Sequence, residues 1–218
     1  MALSIEKVKN DPAIRRYIEK ADESLIALGI TEHSFAHVTK VSTLAKRILL
    51  TLGYPEKEAS LAEIAGYLHD IGNVINRVDH AQSGAIMAFR LLDKMEADPE
   101  EIATIITAIG NHDEATAFPV NAVAAALILA DKTDVRRSRV RNTDLSTFDI
   151  HDRVNYAVVE SIVTVDTKAV ALRLTIDTAI CSVMDYFEIF LSRMVLCRKA
   201  AEKLGLRFSL IINGQTMI

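Results

Sequence analysis

Apolar residues recur every three or four positions through most of the first two-thirds of the chain, the spacing that lines up one face of an α-helix. They fall at Phe35, Val38, Val41, Leu44, Ala45, Ile48 and Leu52, and again at Ala59, Ala62, Ile64, Ala65 and Leu68. The punctuation agrees with the periodicity. Asp11-Pro12 supplies an N-cap and a first-turn proline for a first helix that Gly29 stops. Thr31 can cap a second helix running to Gly53, Pro55-Glu56 opens a third that Gly72 closes, and a fourth runs from near His80 to about Met95. Asp98-Pro99-Glu100-Glu101 is a carboxylate version of a capping box and begins a fifth helix ending near Gly110. After Pro119 a sixth helix, Val120 to Ala130, is apolar on almost every side, which places it in the middle of a bundle.

Beyond about Thr143 the pattern changes. The stretch from Val154 to Val165 is rich in β-branched residues, and Val170, Leu172, Leu174 and Ile176 alternate with small or polar ones. Asp166-Thr167-Lys168 between them suits a hairpin turn. Helical spacing returns from Ile180 to Gly205, and Phe208, Leu210 and Ile212 read as a last strand before Asn213-Gly214. The expected architecture is therefore mainly α, with a helical bundle over residues 1–145 and a small α+β module over 146–218. The order within that module is strand, strand, helix, strand. Ile189 and Leu196 fall outside the main apolar stripe of its helix. That excess could dock on the bundle or pair with a second copy in a homodimer.

Composition narrows the class without naming a chemistry. The 218 residues are 50% hydrophobic and 25% charged, with 8 glycines and 4 prolines, which excludes a disordered, collagen-like or low-complexity chain. A net charge of -4 gives no general attraction to nucleic acid or an anionic membrane, so neither is expected as a partner. No apolar run reaches the ~18 residues of a membrane span, and Met1 to Lys7 does not read as a secretory signal. The expected compartment is the cytoplasm. Cys181 and Cys197 lie in what reads as one helix, about 24 Å apart along its axis, too far for the ~7 Å of a disulfide. They are expected to be buried, reduced thiols.

Candidate chemistry sits at the ends of the helices. His37 lies in the first turns of the second helix, His69-Asp70 just before Gly72, His80 at the start of the fourth, and His112 after the fifth. Asp131 ends the apolar sixth helix, where an unpartnered buried carboxylate would cost several kcal/mol. Neutral imidazoles and carboxylates are the donors that first-row divalent metals take, and facing helices of a bundle are a recurrent place to build a dinuclear site.

The order His37, His69-Asp70, His80, His112, Asp131 resembles the HD superfamily of metal-dependent phosphohydrolases, with its pattern H…HD…H…H…D on a helical bundle. The local contexts Leu68-His69-Asp70-Ile71-Gly72, Asn111-His112 and Ala130-Asp131-Lys132 carry the likeness, which covers about residues 30 to 140. The resemblance implies one metal held by His37, His69, Asp70 and Asp131. It implies a second completed by His80 and His112, with Asp70 as the catalytic bridge. Two divalent transition-metal ions, iron or manganese before magnesium, would activate water for attack on a small phosphorylated substrate such as a nucleotide. A dinuclear-iron oxygenase and a non-catalytic regulatory module are the alternative readings.

His33 and His151 match no position of the pattern and are assigned to the surface. Asn73 stands where many relatives place a lysine, and the GYP motif of the cyclic-dinucleotide branch is missing, which demotes cyclic-di-GMP as substrate. Substrate charge could instead be met by Lys132, Arg136 and Arg137, with Arg139 and Arg141 in the same run. The rival reading of that run is a solvated helix face.

Overall fold

The computed structural model describes residues 3–218. A short helix α1 (Ile5–Asn10), capped by Ser4, precedes α2 (Pro12–Ala27), whose N-cap Asp11 accepts from the Ala13 and Ile14 amides. Helix α3 (Phe35–Thr51) is capped by Ser34 rather than Thr31, because Ser34 sits directly before Phe35 and reaches the Ala36 amide. Then come α4 (Glu56–Leu68), α5 (His80–Lys94), α6 (Pro99–Gly110) and α7 (Ala122–Lys132). Helix α4 ends before Gly72, which belongs instead to a 3-10 turn, Ile71–Val74. Every residue of α7 from Val123 to Lys132 is buried, and α3, α4, α6 and a later helix over Val183–Lys203 surround it, as an almost wholly apolar helix demands.

The C-terminal part differs from expectation in three places. Ile150–Ala157 is a helix, α8, so the strand expected from Val154 begins only at Val158. The cause is local: Asp149 accepts from the Asp152 amide, and this cap outweighs the β-branched run that follows. Helix α9 (Val183–Lys203) starts at a capping box, Ser182 with Asp185, which leaves Cys181 just outside it. Both cysteines are buried and free. Finally, Asn213 and Gly214, with φ of 49° and 80°, form the tight turn that adds a short fourth strand.

Strands β1 (Val158–Val165), β2 (Ala169–Ile176), β3 (Arg207–Ile212) and β4 (Gln215–Thr216) form one sheet in chain order. β1 and β2 pair antiparallel, β2 and β3 parallel, and β3 and β4 antiparallel. The parallel pair requires a crossover, and α9 provides it. Val170, Leu172, Leu174 and Ile176 of β2 turn inward, and α9 packs between that face and α7. Ile189 packs against the core and Leu196 is buried within the chain. One continuous apolar cluster runs from Val8 in α1 to Ile212 in β3. Among the described residues no helix is long and apolar enough to cross a membrane.

Candidate metal centre

Two close helix contacts bring the polar residues together. Gly66 of α4 lies against α3, where an added Cβ would sit 2.8 Å from the Ser42 Cα. Gly72 lies under the start of α5, where a Cβ would come within 2.0 Å of the His80 carbonyl oxygen. Only glycine permits either approach. The first draws His37 of α3 to His69 after α4, and the second draws Asp70 to His80.

The four imidazoles that meet here are fixed in one tautomer. His69 Nδ1 donates to the Gly66 carbonyl at 2.8 Å, His80 Nδ1 to the Arg77 carbonyl at 3.0 Å, and His112 Nδ1 to the Ile109 carbonyl at 2.6 Å. His37 Nδ1 donates to Asp134 Oδ2 at 2.8 Å. Carbonyl and carboxylate oxygens only accept, so each Nδ1 carries the proton and each Nε2 presents a lone pair. Those lone pairs converge. His37 and His69 Nε2 are 3.3 Å apart, and His80 and His112 Nε2 are 3.2 Å apart.

Asp70 stands between the two pairs. Its Oδ2 lies 3.5 Å from His37 Nε2 and 3.2 Å from His69 Nε2, while its Oδ1 lies 3.5 Å from His80 Nε2 and 4.0 Å from His112 Nε2. Asp131 Oδ1 faces the first pair at 3.3 and 3.6 Å. The six residues are at most 7% exposed, and Asp70 Oδ2 is buried with no hydrogen-bond donor. Acceptors facing acceptors in a dry site are costly unless a cation sits among them. These residues therefore fit a metal, and three overlapping groups, each within ligand reach, comprise all six: His37, His69 and Asp70; His69, His112 and Asp131; Asp70, His80 and His112.

The electrostatics say the same. Burial raises the carboxyl of Asp70, but the imidazole of His69 outweighs it and holds it well below the usual range. At Asp131 burial is outweighed chiefly by Lys132. Burial alone would also depress the His69 imidazolium, yet the carboxylates of Asp70 and Asp131 raise it to about 10. Without a metal, the centre recruits a proton. His112, farther from those carboxylates, is driven well below its ordinary value by burial.

A layer of partners stands behind these residues. Asp134, 1% exposed, joins His37 to Lys40 at 2.6 Å and to Arg136 Nε at 3.0 Å. Burial is outweighed there by the His37 and Arg139 contacts, which keep its carboxyl well below the usual range. Sequence reasoning missed Asp134, although a second carboxylate three residues after Asp131 carried the same signal. Lys132 Nζ forms an ion pair with Asp131 Oδ2 at 2.7 Å and lies 3.5 Å from Glu114, and Arg193 of α9 donates to Glu114 at 2.7 Å. Asn73 donates to Asp70 Oδ1 at 3.0 Å and so fixes its orientation.

A cleft of about 400 Å³ opens onto Asp70, His80, His112 and Asp131. Of the expected substrate-binding residues, Lys132 lines it. Arg136 and Arg137 lie outside it: Arg136 is held by Glu32 at 2.7 Å and Asp134, and Arg137 lies over the Tyr156 ring at 4.4 Å. Arg139 reaches the cleft from the same run, while Arg77 and Arg193 enter from other elements. His33 is not on the open surface as expected. It is half-buried in the cleft wall, its ring 5.3 Å from that of His37, because its Nδ1 bonds the Thr31 carbonyl and turns it inward. His151 is exposed at the rim.

A helical bundle that converges four imidazoles and two carboxylates on one dry point defines a metal-centre protein. The family model of the HD domain matches residues 34–189, so the chain belongs to the HD domain family of metal-dependent phosphohydrolases. That match includes all six converging residues and runs beyond residue 145 into α9. The chain is also similar to a crystal structure of a predicted HD superfamily hydrolase from an uncultured Thermotogales bacterium. The two are 27% identical, over 60% of this chain and 73% of that one, with a TM-score of 0.45. No curated protein matches the sequence.

Proposed function

We propose that the chain hydrolyses a phosphate ester, of a nucleotide or a related small phosphorylated metabolite, with two divalent transition-metal ions at this centre. The observation that carries the reading is Asp70, whose two oxygens face different histidine pairs. His37, His69, Asp131 and Asp70 would hold one ion, and His80 and His112 with Asp70 the other. The donors are imidazole nitrogen and carboxylate oxygen, while Cys181 and Cys197 belong to the buried core, which favours iron or manganese over a thiolate zinc site or magnesium. Such ions, when bound, bring the pKa of a coordinated water towards neutrality and neutralise phosphoryl oxygens.

The protein's own residues prepare that chemistry. Asn73 keeps Asp70 in its two-sided orientation, and Lys132 holds Asp131 Oδ2 so that Oδ1 faces His37 and His69. Four neutral imidazoles and two carboxylates carry less negative charge than two divalent ions carry positive, which leaves the site selective for an anion. The cleft volume suits a substrate of mononucleotide size. The two free, buried thiols fit a reducing compartment, and we place the protein in the cytoplasm.

Protein loaded with iron or with manganese should release phosphate from at least one member of a panel of phosphate esters and nucleotides. Oxygen uptake is followed in parallel. Oxygen consumption without phosphate release would replace the reading by the oxygenase. Full metal loading with turnover of neither kind would replace it by a regulatory module.

A further inference from the structure

Four permanently charged cations line the cleft, and they are not equivalent. Lys132 is neutralised by Asp131 and Glu114, Arg193 by Glu114, and Arg139 donates to the Asp134 and Glu32 carbonyls with the Asp134 carboxylate 3.9 Å away. Arg77 has no such partner. Among the described residues no carboxylate lies within 4.0 Å of its guanidinium. Its polar side-chain neighbours are Asn73 Oδ1, which accepts from Nη1 at 3.2 Å, and His80 Nε2 at 3.4 Å. A half-buried guanidinium with five donors and one neutral oxygen acceptor is an unfilled anion site.

From this asymmetry we propose that Arg77 is the residue that grips the phosphoryl group of the substrate. The inference rests on the hydrolase reading above and names the side chain that selects its anionic end. Position supports it. The 3-10 turn Ile71–Val74 leads from Asp70 into the loop that carries Arg77, and Asn76 Oδ1 and the left-handed Asp79 (φ 57°) shape that loop before α5 begins. Nη1 therefore hangs beside His80, at the edge of the histidine pair that opens to the cleft. Asn73 has two jobs in the arrangement, since its amide nitrogen holds Asp70 while its amide oxygen holds Arg77. It fixes the distance between the bridging carboxylate and the anion-binding fork. A planar guanidinium can present two parallel N–H groups to two phosphoryl oxygens, which a lysine cannot.

The side chain can be removed without dismantling the centre, because the contact that orients His80 comes from the backbone carbonyl of Arg77. The test measures binding of inorganic phosphate to the metal-loaded full chain by titration calorimetry, together with metal content and steady-state kinetics. Arg77→Ala should keep its metal, weaken phosphate binding by about 10- to 100-fold, and raise KM for the ester. Arg77→Lys should fall between it and the parent, retaining the charge but losing the fork. Arg90→Ala, on the exposed face of α5, is the control and should match the parent. A parent that binds phosphate and an Arg77→Ala protein that binds it equally well would overturn the assignment while leaving the hydrolase standing. A metal-loaded parent that neither binds phosphate nor cleaves any ester would overturn both. If Arg77→Ala loses its metal, the residue is structural and the assignment also falls.

Discussion

The two halves of the metal centre are built from the same ring but supported in different ways. Behind His37 stands a buried carboxylate, Asp134, itself held by Lys40 and Arg136. Behind His80 and His112, as behind His69, stand backbone carbonyls, those of the second pair from the Arg77 loop and the end of α6. A carboxylate partner makes an imidazole a stronger donor than a carbonyl does. Asp131 Oδ1 also faces His37 and His69 of the first half at 3.3 and 3.6 Å, and Lys132 pairs with its other oxygen. With an ion in each half, as proposed, the first half would be the tighter position and the second the looser one, open to the cleft. Ligand identity alone hides this gradient; the second layer of contacts reveals it.

The largest effect should come from the residue the halves share. Asp70→Ala removes a donor from both, so metal content by elemental analysis should fall close to zero and phosphate release to background. His112→Ala removes a donor assigned to the looser half. It should cost about half the bound metal and leave the rest in place; loss of all metal would show that the halves are not independent. Asp134→Ala tests the support behind the tighter half. Metal affinity there should fall by about 10- to 100-fold. The fold should lose about 3 kcal/mol in denaturant titration, because the charges that met on that carboxylate lose their partner.

The smallest effect is a proton count. In the metal-free protein His69 titrates at about 10. A raised histidine value stabilises the metal-free fold fully below its ordinary value near 6.5. That contribution is lost as pH rises through about 10. A metal must displace this proton, so affinity should climb with pH across neutrality, and loading near pH 7.5 should release about one proton. Calorimetry in two buffers of different ionisation enthalpy measures it. Release of none would mean that His69 stays neutral in the empty site.

The bundle was readable because helix periodicity and caps agree along it, and the converging residues because each histidine or aspartate falls at a helix end. Asp131 stood out as a charge closing an apolar helix, and Asp134 could have been found by the same argument. The run from Lys132 to Arg141 divides, with Lys132 and Arg139 lining the cleft and Arg136 and Arg137 outside it, for a definite reason. A row of cations gives no direction, and here the chain turns through Arg137–Arg139, which sends Arg136 to Glu32 and Arg137 to Tyr156. Glu114 and Arg193 are joined across the bundle and α9, a pairing that no local pattern announces. Helix α8 runs into the β-branched stretch that begins at Val154, and its cap Asp149 lies before that stretch.

The burial of α7 on every side has a consequence in time. Its neighbours α3, α4 and α6 precede it in the chain or lie just before it, but α9 is made only after α8 and the first hairpin. At ordinary rates of protein synthesis, the face of α7 that α9 will cover therefore stays bare for seconds. All six converging residues have by then left the ribosome, whereas Arg193 and the rest of that cleft wall have not. The emerging chain passes through an interval in which that apolar face can stick to its neighbours. Closing that interval is the work of the segment that carries none of the six.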